Sequence, residues 1–190
     1  MPKAAARLLA STPSRPSTTL LRLLPNALLM AALSSCIDPA REQAIEALGP
    51  ETPGVREGPL HRSGQPCLLC HDEAGNAPPF SVAGTVYIDA ASLKPIEDVT
   101  VNLIDPLGGT FSSVTNCAGN FFVRPREYSL QGPIWVNMQR EGVFREMDTP
   151  VYRDGSCAGC HGDPIGPASA GHVFLIDDPE VEEVPVSRCR

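Results

Sequence analysis

The chain has 190 residues, 42% of them hydrophobic, and a formal net charge of −7. All 22 acidic residues but only 11 of the 15 basic ones follow Cys36, so that part of the chain carries a net charge of −11. An acidic surface of this kind excludes the electrostatic footprint of a nucleic-acid binder and adhesion to anionic lipid headgroups, and it suits a basic protein partner.

Residues 1–35 hold Lys3, Arg7, Arg15 and Arg22 but no Asp or Glu. An apolar run from Leu23 to Leu33, broken by Pro25 and Asn26, comes next. A basic lead and a short apolar core read as an export signal; a membrane span needs about twenty apolar residues. The segment ends Leu33-Ser34-Ser35-Cys36. This ending resembles a bacterial lipobox, which implies that residues 1–35 are removed and that Cys36 is lipidated and anchors the protein to a membrane. Ile37 follows in place of Asp, so the resemblance carries no inner-membrane retention signal, and an outer-membrane address on the periplasmic or surface face is preferred. The plainer alternative is an ordinary secretory signal with an unrelated Cys.

Residues 36–60 form a tether rich in Pro, Gly, Glu and Ala, with a short helix expected in PAREQAIEAL up to Gly49 and Pro50. Residues 61–80 then contain His61 and the pentad Cys67-Leu-Leu-Cys70-His71, followed by the Pro- and Gly-containing stretch GNAPPF.

Residues 81–150 change to short runs with period two. FSVAGTVYI (starting at Phe80), VTVNLI, NFFVR and IWVNMQ are rich in β-branched and aromatic residues and are divided by the turn clusters DPLGG and TNCAGN. Alternation in IWVNM places Ile134, Val136 and Met138 on one core-facing side. The expected fold class is mainly β: a small antiparallel β-sandwich flanked by two loop-rich segments. Gly84-x-Val86, the Pro95-Ile96 turn, Val99 and Val101, and then Thr115, Asn116, Gly119 and Phe121 carry a resemblance to the carboxypeptidase regulatory-like, transthyretin-like β-sandwich. The resemblance spans about 70 residues and implies a scaffold without catalysis of its own.

Residues 151–190 hold the second pentad, Cys157-Ala-Gly-Cys160-His161, then His172 and an acidic tail. Two Cys-x-x-Cys-His pentads in a chain with seven Cys and four His are no accident of composition. The pattern is that of c-type haem attachment, in which both thiols form thioethers with the porphyrin and the adjacent His binds iron. The expected cofactors are therefore two covalent haem c groups, one on Cys67, Cys70 and His71 and one on Cys157, Cys160 and His161. Two rival readings use the same cysteines: one zinc ion held by four thiolates, or a disulfide in each pair. Neither needs a His after each pair. Both Pro- and Gly-rich continuations exclude the long helices of soluble cytochrome c.

His61 and His172 are the only remaining imidazoles, one for each second axial position, and spacing leaves open which serves which haem. Solvent exposure of His61 and a strand-edge position for His172 are the plainer alternatives. Met138 and Met147 are the competing ligands, with Met138 assigned to the core. Cys117 and Cys189 form an even remainder that can pair or stay free. No nucleophile elbow or phosphate-binding loop is present. The expected function is thus a dihaem cytochrome lipoprotein that transfers electrons with redox partner proteins at the cell envelope. It is not expected to be an enzyme, with a haem peroxidase left open. The alternative is a structural or adhesive lipoprotein.

Overall fold

The computed structural model describes residues 38–51, 53–162 and 165–177. It divides into two units, Met1–Glu42 and Gln43–Arg190. Of the first unit, only the start of a helix is described. This helix, α1, spans Pro39–Ala47. Asp38 caps it by accepting hydrogen bonds from the amides of Ala40 (3.0 Å) and Arg41 (3.3 Å), which would otherwise lack partners. None of its residues is buried.

Among the described residues, seven strands make two sheets. β1 (Val82–Asp89) lies between β4 (Asn120–Val123) and β7 (Val173–Ile176). The other sheet has the order β3-β2-β5-β6, from Thr110–Val114, Thr100–Ile104, Trp135–Arg140 and Val143–Glu146. The chain is thus mainly β, a small sandwich. Six of the strands pair antiparallel, but β7 runs parallel to β1, with Val86 opposite Val173 and Asp89 opposite Ile176. This third strand of the first sheet comes from beyond residue 150, after the second pentad.

Period-two patterning places Val82, Val86 and Ile88 of β1 in one core with Phe121, Val123, Val101, Leu103, Met138 and Leu175. Ile134 and Met138 are buried and Val136 packs against them, as their alternation requires. The turn residues have defined tasks. The Thr115 hydroxyl donates to the Ile96 carbonyl at 2.8 Å and accepts from the Val99 amide at 3.0 Å. Gly119 has φ +71°, and a Cβ there would overlap Pro95 at 2.8 Å. At the far edge Arg145 clasps the sheets together, bonded to Asp177 at 2.6 Å with its guanidinium 3.9 Å from the Phe174 ring centroid.

Leu103 is fully buried whereas Val114 is exposed. Leu103→Ala is expected to lower unfolding stability by about 2–5 kcal/mol and Val114→Ala by less than about 0.5 kcal/mol, both read from urea unfolding midpoints. Equal losses would contradict this placement of the core.

Candidate haem-binding site

The two pentads fold alike. Cys67–Leu69 and Cys157–Gly159 are single 3₁₀ turns. Pro66 (φ −71°, ψ 89°) and Ser156 (φ −83°, ψ 102°, extended) lead into them, and Cys70 (φ −107°, ψ −28°) and Cys160 (φ −117°, ψ −21°) end them. In each, the amides of the second Cys and of the His both donate to the carbonyl of the first Cys, at 3.2 and 2.9 Å in one site and 3.1 and 2.8 Å in the other. Side chains three residues apart eclipse on a 3₁₀ turn, so the spacing brings both thiols of a pair to one side.

The histidines match as well. His71 Nδ1 donates to the Pro78 carbonyl at 2.7 Å, and His161 Nδ1 donates to the Gly171 carbonyl at 3.0 Å. A carbonyl only accepts, so each Nδ1 carries a proton, which leaves Nε2 as the nitrogen that a metal could take. Short loops present those carbonyls. The first is closed by Phe80 N donating to His71 O at 2.8 Å, and Phe80 stacks on both the His71 ring (4.2 Å, 10°) and Phe122 (4.8 Å). In the second, Ala170 N donates to Cys160 O at 2.8 Å, and Ser169 bonds Gly162 and the Gly171 amide.

Both turns pack on β1, although about ninety residues separate them. Backbone pairing of Ala83 with Ser156 brings in the second, where Cys157 fills the space left by the absent side chain of Gly84. A Cβ on Gly84 would sit 2.8 Å from Cys157 Sγ. Polar side chains bring in the first. Thr85 accepts from the Gly64 amide (2.7 Å) and donates to Asn120 Oδ1 (2.7 Å); Asn120 Nδ2 donates to the carbonyls of His61 (3.1 Å) and Pro59 (3.2 Å). Asn116 and Ser63 add bonds to Pro59 O and Ala118 O. Motif reasoning passed over Thr85 and Asn120. The available signal was a polar residue at a strand position that burial leaves inaccessible to water.

The four motif thiols are free, not paired as disulfides. Burial, then the neighbouring Cys67 and Asp154, push the Cys157 thiol up to about 12; although the residue is only partly buried, its sulfur is enclosed. Burial likewise raises Cys67. Among the described residues no three His, Cys, Asp or Glu side chains converge as a metal-ion site. A porphyrin with its own iron makes no such demand: it needs two reduced thiols on one side of a turn and one imidazole with a free Nε2, and each motif has both.

The remaining expected residues divide. His61 lies beside His71, with ring centroids 5.9 Å apart and planes at 61°. His172 packs on Tyr87 at 4.7 Å, and its buried Nε2 has no hydrogen bond. Met138 belongs to the core. Cys117 is disulfide-bonded. Cys189, whose pairing with it the sequence left open, and Cys36, the expected lipid attachment, lie outside the described residues, as does the expected export signal. No helix among the described residues is long and apolar enough to cross a membrane.

Gly84→Ala is expected to displace Cys157, costing about 1–3 kcal/mol through overpacking and exposing its thiol to alkylation, read by urea unfolding and mass spectrometry. Gly166→Ala, where nothing lies within 4 Å of the added carbon, is the control expected to do neither. The Cys157 thiol also sets a pH dependence for the haem-free protein. Its folded value of about 12 exceeds the ordinary thiol value of 9.0, so between the two the unfolded chain loses the proton first and stability falls as pH rises. The Cys157 contribution to that slope approaches about 1.4 kcal/mol per pH unit. It should be absent from Cys157→Ala when unfolding is compared from pH 8 to 11.

No protein-family model matches this chain, and neither a curated protein nor a solved structure matches it.

Proposed function

We propose that this chain is a dihaem c-type cytochrome lipoprotein, exported and anchored through Cys36, that transfers electrons at the bacterial cell envelope. One observation carries the reading. Twice, a 3₁₀ turn presents two free thiols beside an imidazole whose Nδ1 is bound to a backbone carbonyl. Cys67 and Cys70 would hold one haem and Cys157 and Cys160 the other, with His71 and His161 binding iron through Nε2. A bound haem supplies a reversible one-electron couple at its iron. The chain's own residues do the rest. Pro78 and Gly171 accept hydrogen bonds from the imidazoles at Nδ1, Phe80, backed by Phe122, covers one face of His71 with apolar surface, and both turns share contact with β1. That shared contact favours a relay between two neighbouring groups over two unrelated carriers. The net charge of −11 after Cys36 favours a basic redox partner and helps encounter at low ionic strength. The lipobox-like ending favours anchoring at the outer membrane. The β-sandwich is the scaffold, in keeping with the resemblance carried by Gly84, Val86, Thr115, Asn116, Gly119 and Phe121.

The test is an absorption spectrum of the full chain produced in a periplasm able to mature c-type cytochromes, with haem counted on the denatured protein. Two haems per chain that survive denaturation, falling to one in Cys67→Ser/Cys70→Ser and to one in Cys157→Ser/Cys160→Ser, are expected. A colourless protein with all four thiols open to alkylation would overturn the proposal. Cys36→Ser should move the protein from the membrane fraction to the soluble periplasm, read by fractionation.

A further inference from the structure

Resting on the haem reading, we propose that His61 is the second axial ligand of the first motif. The iron held by Cys67, Cys70 and His71 is then closed on both faces and is reserved for electron transfer.

Three observations on separate atoms meet at His61. The first is position. Its ring centroid lies 5.9 Å from that of His71. Two imidazoles that bind one first-row metal ion at about 2 Å each place their ring centroids roughly 6 Å apart, so the separation fits a single ion between them. The second is the state of its ring. His61 Nδ1 is buried without a hydrogen bond, 3.7 Å from Glu51 Oε1. With Nδ1 turned to the carboxylate, Nε2 is the atom left to ligate, as it is at His71 and His161. A carboxylate behind the ring also makes it a stronger ligand.

The third is that the segment is held in place before any cofactor arrives. Asn120 binds the His61 carbonyl, Thr85 binds the Gly64 amide, and Asn116 binds the Pro59 carbonyl. Arg62 fastens the other side: its guanidinium donates to Glu51 (3.4 Å), Gln65 (2.8 Å) and the Gly49 carbonyl (3.3 and 3.2 Å). Glu51 is therefore fixed where His61 Nδ1 meets it. His172 is placed differently, with its ring against Tyr87 and Nε2 as the buried nitrogen without a partner. The two sites are alike in their turns and unlike in their surroundings, and the first has its own distal imidazole. Two histidine ligands without a thioether hold a haem at a lower potential than a His/Met pair.

The experiment uses the haem-loaded full chain with its second motif removed (Cys157→Ser/Cys160→Ser), so that only the first haem is observed. Haem content is counted first, because its absence before any change at His61 would overturn the dihaem reading itself and this inference with it. With haem present, His61→Ala should convert the ferric spectrum from low spin to high spin. It should also let the ferrous protein bind carbon monoxide, and added imidazole should restore the low-spin state. His61→Met should keep a six-coordinate low-spin iron and raise its reduction potential, which gives a readout if the alanine variant folds poorly. His172→Ala in the same background should leave the spectrum unchanged. An unchanged low-spin spectrum in His61→Ala, or a high-spin spectrum before any change at His61, would overturn the assignment.

Discussion

The whole folded part depends on the enclosure of β1. All eight of its residues are buried. Val82, Val86 and Ile88 face the second sheet, while Thr85 and Tyr87 lie under the segment that leads into the first pentad. A strand covered on both faces has to satisfy every polar group it carries. Its two edges are taken by β4 and β7, with Ser156 bridging to Ala83, and the Thr85 hydroxyl by Gly64 and Asn120. Those same bonds bring the two pentads in. The packing that stabilises the sandwich and the contacts that gather the cysteines are one network.

That network explains the electrostatics of the sites. A thiol set against a glycine in the core side of a strand is desolvated, and desolvation disfavours the thiolate. Of the two motifs, the second therefore has its first sulfur enclosed against β1, where burial holds the Cys157 thiol in its protonated form.

Four of the seven strands are legible in the residues, because β1, β2, β4 and β5 are dense in Val, Ile, Phe and Trp and must bury them. The others are not. In β3, TFSSV places Phe111 and Val114 on opposite faces, and the strand is held mainly by backbone bonds to β2. β6 is a four-residue edge with two charged side chains. β7 follows a Pro- and Gly-rich loop, and its parallel pairing with β1 joins residues far apart in the chain. A pairing of that kind leaves no local pattern. His61 and His172 looked equivalent by spacing, and only their surroundings separate them: a carboxylate and His71 for one, Tyr87 for the other.

By itself, the sequence determined what nearest neighbours along the chain can decide. The i, i+3 and i, i+4 relations within each pentad dictate a turn that aligns two thiols and leaves an imidazole beside them, and period-two burial dictates a β fold. Tertiary structure alone decided what lies next to what across long loops. It set both pentads on β1, matched Gly84 to Cys157, and brought Asn120 to the loop that carries His61. The reason is that such contacts depend on which buried polar groups and which missing side chains meet after the sheets close, and a one-dimensional pattern does not contain that information.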